Sequence, residues 1–395
     1  MGFQYGDVAV DGEKLYIAPA EIAGIIEADI NTGESRILVK FPQYNLLAVR
    51  MNSAICKSGD YIAVAPLLGT EFYLYNIKKD QLISLTIDEE KFINLSKKSL
   101  GKRGLFAGSF IYNNCFYFVG YCYSGIVKIS IDRAKLEVFN LDLKKLKKIC
   151  ASEEIILGRC ICVKDDCVYV PVKYTDTIIK YNMSNDCCEY ITLGYDLSIY
   201  EICIENNDVY LLLSDKKELV HIKLNNVRNV NILNVLSKES EKNGEPWFVG
   251  GICKAGYVWI FPCFSNMILK LSLNTGNVEC VKENREYGDG YIYTFVKDFD
   301  EDHICAFNSK ECCLDIMNVY TQEVRKLYLS FSDDAGKYAF SEILCSSEKH
   351  LINESSIISL SNMISFMKTD DMNKTSLDKT LTDKTLIGKT IWTNT

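Results

Sequence analysis

Two stretches decide the fold: Ile25-Ile26-Glu27-Ala28-Asp29-Ile30-Asn31-Thr32-Gly33 and Ile268-Leu269-Lys270-Leu271-Ser272-Leu273-Asn274-Thr275-Gly276. Each is a strand-length apolar run with a charge in its middle. Each closes on Asn-Thr-Gly, a tight-turn sequence whose glycine is free to take positive φ. Two further segments superimpose on them, Ile126-Val127-Lys128-Ile129-Ser130-Ile131 and Thr177-Ile178-Ile179-Lys180-Tyr181-Asn182-Met183. Weaker copies put Leu74, His221 and Asp315 at the charged position. A segment that recurs this often is one strand of a repeated unit.

Working outward, the openings of the units also match. They read Ala54-Ile55-Cys56-Lys57, Cys160-Ile161-Cys162-Val163, Glu201-Ile202-Cys203-Ile204 and Gly251-Ile252-Cys253-Lys254. A second strand follows and often closes on proline, at Pro19, Pro66, Pro171 and Pro262. Between first and second strands lie hairpin-turn sequences: Asp11-Gly12, Ser58-Gly59, Asn113-Asn114, Asp165-Asp166 and Asn206-Asn207. Seven units begin near residues 6, 53, 108, 158, 200, 250 and 293. A period of roughly 40 to 55 residues is that of four-stranded propeller blades. The expected fold is all-β: a β-propeller of about seven four-stranded blades over residues 1–332. A C-terminal extension with a helical segment follows over 333–368, then a low-complexity tail over 369–395.

With that cadence and those Asn-Thr-Gly turns, residues 1 to about 332 resemble bacterial propeller repeat proteins of the YVTN and Kelch-like kind, including the streptogramin-lyase-like propellers. The Trp-Asp dipeptide of WD40 blades and the double glycine of Kelch blades are missing. The resemblance implies the fold; propellers host many unrelated activities.

Composition bounds the rest. Of 395 residues, 48% are hydrophobic and 11% aromatic, enough for a full core and weighted toward strands. A net charge of −8 argues against general nucleic-acid binding. No basic-then-apolar leader opens the chain, and no apolar run is long enough to span a membrane. The 17 cysteines are odd in number and fit reduced thiols in a cytoplasmic protein. The pairs Cys187-Cys188 and Cys312-Cys313 and the close Cys160 and Cys162 lack the Cys-x2-Cys spacing of zinc sites. The cysteines of the unit openings are expected to pack between blades as small apolar groups, with no metal and no cofactor.

No nucleophile elbow, zinc-protease helix or phosphate loop is present. The three histidines, His221, His303 and His350, fall outside the loops joining one blade to the next. The streptogramin-lyase resemblance implies histidine at the top of the funnel. Asp7, Glu201 and Glu245 could serve a glycosidase as paired carboxylates, and otherwise read as solvated loop acids.

In a propeller the blade-to-blade loops and the second-to-third-strand loops open on one face. Three blade-to-blade loops are long, about 88–107, 141–157 and 233–249, and long loops in a compact fold are often functional. Two are basic, with Lys97, Lys98, Lys102 and Arg103 in the first and Lys144, Lys145, Lys147 and Lys148 in the second. Leu143, Leu146 and Ile149 mark the second as a short amphipathic helix. Such a patch suits an acidic protein or a phosphate-bearing ligand, or is a solvated face. Trp247 reads as a binding hot spot or as a cap on a blade edge. Arg50, Arg159, Tyr200, Glu201 and Tyr293 precede first strands and are expected to line the same mouth.

Residues 354–368 carry Ile357, Leu360, Ile364 and Met367 at helical spacing. A period-five array follows, from Thr375 to Lys379, Thr380 to Lys384, Thr385 to Lys389 and Thr390 to Asn394. It reads as a disordered tail, or as the core of a peptide modified by a partner enzyme. The functional expectation is a monomeric, non-enzymatic scaffold that recognises a protein or peptide partner, or a small anionic or carbohydrate ligand, through the loop-rich face. A hydrolase or lyase acting on carbohydrate or peptide in the central funnel is the alternative.

Overall fold

The computed structural model describes residues 4–20, 22–42, 52–67, 70–88, 106–123, 125–150, 155–214, 216, 218–234, 247–283, 292–332 and 334–337. Seven sheets follow one another along the chain, each built on four antiparallel strands contiguous in sequence, and the first takes a fifth strand from the far end of the ring. The first strands begin at Tyr5, Asn52, Phe106, Cys162, Ile199, Phe248 and Tyr293, close to the positions the repeats predict. First strands of successive blades lie against one another, which places them round the central axis. The fourth strands, such as Glu34–Lys40 and Cys187–Thr192, alternate exposed and half-buried residues and form the rim.

The burial pattern explains why these sequences form blades. Second and third strands are apolar on both faces, as in Tyr61–Pro66 and Glu71–Asn76, because each face meets a neighbouring blade. Seven hydrophobic clusters result, one between each pair of adjacent blades; Phe72 and Phe106, for example, join blades two and three. Full burial of each such side chain contributes about 1.5–3 kcal/mol.

The charge in the middle of the third strand also finds its reason. Glu27, Lys128, Lys180, Lys270 and Asp315 stand opposite Arg36, Glu137, Glu189, Glu279 and Lys326 on the rim strand. On the other side Tyr16, Tyr117, Tyr169 and Trp259 face the first four of them. Glu27, Lys180 and Lys270 thus reach the rim beside an aromatic ring and pair there with Arg36, Glu189 and Glu279, while Asp315 stays buried and accepts from Tyr293 and Asn308. In blade two Ala63, Leu74 and Ile83 make the same row wholly apolar.

The ring closes by an added strand. Ser330–Phe331 runs parallel to Glu34–Lys40 on the rim of blade one, with Ser330 N donating to Gly33 O at 2.9 Å. Gly33 has φ +76°, and a Cβ there would lie 2.1 Å from Tyr328 O. The Asn-Thr-Gly turn of blade one therefore needs glycine twice, for its backbone and for this close approach.

The Leu143–Ile149 segment is helical, as its spacing predicts. The expected helix at 354–368 and the period-five tail lie outside the described residues. Among those residues no helix is long and apolar enough to cross a membrane.

Candidate functional site

The inner strands are irregular where they leave the loop-rich face. Register shifts occur at Tyr5/Asp7, Asn52/Ala54, Phe106/Gly108, Ile199/Glu201, Phe248/Gly250 and Tyr293/Val296. Such bulges re-aim the side chains beside them. Just past the shift stand Asp7, opposite Ala18 in blade one, and Glu201, opposite Leu212 in blade five. The two acids therefore hold equivalent places.

Blade four departs furthest. Leu157 bridges Val172, and regular pairing resumes only at Cys162 opposite Tyr169. Glu201 replaces part of the missing ladder. Its carboxylate accepts from Arg159 N at 3.1 Å and Cys160 N at 2.8 Å. Lys173 Nζ lies 2.7 Å from the same carboxylate, and both side chains are 0% exposed. The ammonium sits over the Tyr200 ring at 3.3 Å, with the Tyr121 ring at 5.3 Å. Burial disfavours the charge on Lys173, but Glu201 beside it outweighs that and holds the lysine above its ordinary range. Gly158 leaves the room: a Cβ there would meet Pro171 Cγ at 2.4 Å and Glu201 Oε2 at 2.9 Å.

The displaced segment projects into the channel. Arg159 Nη1 donates to Thr294 O in blade seven at 2.7 Å. The sulfur of Cys160 lies 2.4 Å from where a Cβ on Gly250 of blade six would be. Glycine at 250 is thus required for blade four to reach across.

The second acid is held differently. Asp7 takes Lys297 Nζ on both oxygens at 2.8 Å, Val8 N at 2.8 Å and Ile55 N at 3.0 Å. Lys297 also donates to Val8 O at 2.9 Å, and its side chain remains 31% exposed. Burial opposes its charge, and Asp7 raises its pKa above the ordinary value. The reading of Asp7 and Glu201 as solvated loop acids is corrected: both are buried, because the bulge turns them inward onto lysines. Glu245 lies outside the described residues.

Beyond Arg159 the channel holds a cavity of about 410 Å³. Cys160, Cys162, Cys203 and Cys253 lie on its wall. Cys162 Sγ donates to Ile202 O at 3.4 Å. The thiol of Cys203 is pushed well up by its hydrogen bond to Cys253 and by burial, and burial does the same to Cys162. The unit openings need one correction. Cys56, Cys162 and Cys203 are equivalent, opposite Ala63, Tyr169 and Tyr210; in blade six that place, opposite Trp259, belongs to Ile252. Cys253 is one residue on, facing the other way, so it meets Cys203 between blades five and six. Among the described residues no group of three or more His, Cys, Asp or Glu side chains could hold a metal ion.

The residues expected at the mouth separate into three groups. Arg50, Lys102 and Arg103 lie outside the described residues. Lys144 and Lys145 stand exposed on the Leu143–Ile149 helix. Arg159, Tyr200 and Glu201 come together in the bulge assembly, with Tyr200 7% exposed. Trp247 is buried between blades five and six, and Tyr293 is 0% exposed, with its hydroxyl donating to Asp315 at 2.8 Å. The place of Tyr293 at the mouth is corrected, and of the two readings of Trp247 the cap on a blade edge is the one its burial fits: an aromatic just ahead of an inner strand packs into the wall between blades. His221 contacts Asp208 at 2.6 Å and stacks on Tyr210, while His303 contacts Asp300 at 2.8 Å; neither lies on the cavity wall. Sequence reasoning missed Lys173, Lys297, Tyr121 and Thr294. The two acids at equivalent bulge positions were the available signal.

The chain matches no known family and no curated protein. Solved structures similar to it include a catalytically inactive virginiamycin B lyase from Staphylococcus aureus with quinupristin, at 12% identity and a TM-score of 0.56, covering 80% of this chain and 94% of that one. The WD40 repeats of RRP9 are similar at 12% identity and a TM-score of 0.53, covering 78% and 87%. The computationally designed Ika8 protein is similar at 12% identity and a TM-score of 0.52, covering 82% and 87%. The likeness is one of fold: a seven-bladed β-propeller.

Proposed function

We propose that the protein is a non-enzymatic binding propeller that recognises an acidic protein or peptide through its loop-rich face. The observation that carries this reading is the rigid display of lysines on the Leu143–Ile149 helix. Asp142 caps the helix by accepting from Lys144 N and Lys145 N at 3.0 and 3.1 Å. Leu146 is 0% exposed and sits in the cluster between blades three and four. Lys145 lies over the Tyr190 ring at 4.4 Å. Lys144, Lys147 and Lys148 are left exposed on a pinned element. A helix held this firmly loses little further freedom on binding.

Two acids that would be candidates for catalysis are each spent on a lysine and on backbone N–H groups. That favours binding over a hydrolase or lyase working in the funnel. The test is the triple variant Lys144→Glu, Lys147→Glu, Lys148→Glu titrated with an acidic peptide. Affinity for the parent protein is expected to fall steeply with salt, since exposed charges are screened beyond about 8 Å at physiological ionic strength. The variant should lose most of that affinity and its salt dependence. Unchanged affinity would refute the helix as the docking element. Turnover of glycan or peptide substrates that depends on Asp7 or Glu201 would refute the non-enzymatic reading.

A further inference from the structure

The channel cavity points to a second site, separate from the lysine helix. It runs along the inner strands from Asp7, Ala107 and Thr294 near their starts to Val163, which is 43% exposed on the face of the first-to-second-strand turns. Its volume of about 410 Å³ falls in the range of small-molecule pockets, roughly 300–1,000 Å³. The wall is mixed: Ile202, Ile204, Ile252 and Val296 form an apolar stretch beside the four cysteines, and Asp7, Ser109, Lys297 and Asp298 add polar groups.

At one end stands a cation with unused donors. Arg159 lines the cavity, and its side chain makes one hydrogen bond, from Nη1 to Thr294 O at 2.7 Å. It pairs with no carboxylate among the described residues. Asp7, on the same wall, is already committed on both oxygens to Lys297. The Thr294 hydroxyl is buried without a hydrogen-bond partner among the described residues. That corner therefore offers a guanidinium whose remaining donors the protein does not itself satisfy; the Thr294 hydroxyl is sealed beneath it. A planar oxyanion matches the fork, two parallel N–H donors to two oxygens.

We infer that the channel binds a small amphipathic monocarboxylate, with its head on Arg159 and its hydrocarbon body along the isoleucines and thiols. The bulge of blade four is what builds the site, because it carries Arg159 across the channel and closes the pocket behind the head group. Lys297 and Asp7 offset each other on the same wall and Asp298 is paired with Lys254, so Arg159 is the charge left for the head group.

The probe is decanoate, titrated calorimetrically into the full chain, with decanol and decylammonium as controls. Saturable decanoate binding with a thermal upshift is expected, and neither control should match it. Arg159→Met should weaken decanoate about tenfold or more, the effect of losing a charged hydrogen-bonded anchor, and Arg159→Lys should recover part. Arg159 also ties two blades, so Val163→Trp provides a variant that touches no anchor. Position 163 is exposed, so the fold should be kept while the mouth is blocked and decanoate is lost. Reversal of Lys144, Lys147 and Lys148 should leave decanoate binding intact, which separates this site from the loop-face reading. No decanoate binding, equal binding of decylammonium, or full affinity in a folded Arg159→Met variant would overturn the inference.

Discussion

Blades one and five carry the same device in two settings. Asp7 and Glu201 hold equivalent places past the inner-strand bulge, each with a lysine supplied by the preceding blade. In blade five the pair is dry: Glu201 and Lys173 are both 0% exposed, and the ammonium is boxed by Tyr200 and Tyr121. In blade one the pair opens on the channel, and Lys297 keeps 31% of its side chain exposed. The difference follows from what each acid has to hold. Glu201 takes the backbone N–H groups that blade four withholds from its own ladder, so its pair is built into the displaced segment. Asp7 takes the N–H groups of Val8 and Ile55, which keep register partners within their own blades. One ion pair shapes the channel, and the other lines it.

The comparison is broken most severely by deleting one lysine at a time. Lys173→Met leaves a buried carboxylate without its cation and should cost about 3–5 kcal/mol in denaturant unfolding. The double variant Lys173→Met, Glu201→Gln should recover much of it. A loss below about 1 kcal/mol for the single variant would mean that water reaches Glu201 and that the two pairs do not differ.

Lys297→Met should cost less, about 1–3 kcal/mol, because channel water and two backbone N–H groups still serve Asp7. Equal losses at the two sites would erase the distinction.

Alkaline pH sharpens it. Burial pushes the thiols of Cys56 and Cys305, whose ordinary value is 9.0, up to about 12. Groups raised on folding stabilise the fold fully below their unfolded value and lose that contribution as pH rises through the folded one. Lys173 and Lys297 are raised as well, so all four act in the same direction. Stability should hold below pH 9 and fall between 9 and about 12. Lys297→Met should shrink that fall, since it removes the lysine that channel water can reach. Unfolding midpoints that stay flat over this window would contradict the buried placement of these groups.

The smallest effect is expected farthest from both pairs. Reversing Lys144, Lys147 and Lys148 to glutamate should move stability by no more than about 0.5 kcal/mol. A larger loss would make the helix part of the structural frame.

Much of the fold was legible because its signals are local. Alternation of apolar and polar residues, turn glycines and the recurring third strand each lie within one unit, and seven units gave seven blades. The helix at Leu143–Ile149 was legible for the same reason. The site was less so. Glu201, Arg159 and Tyr200 were singled out as residues preceding inner strands, and they do meet. Their partners could not be named, because Lys173 and Lys297 occur at no repeating position.

What the sequence determined by itself is therefore the number of blades, the order of strands and turns, and the apolar walls between them. Each of these depends on residues a few positions apart. The tertiary structure alone decided which side chains turn inward and what they meet. A bulge of one residue moves a side chain to the opposite face of its strand, which is why Glu201 is buried; a one-residue offset past the matching bulge of blade six turns Cys253 toward Cys203. Closing the ring brought Lys297 to Asp7 across 290 positions, and it carried Arg159 to Thr294 across 135. Contacts at that range depend on the geometry of the completed circle, and no local pattern encodes them.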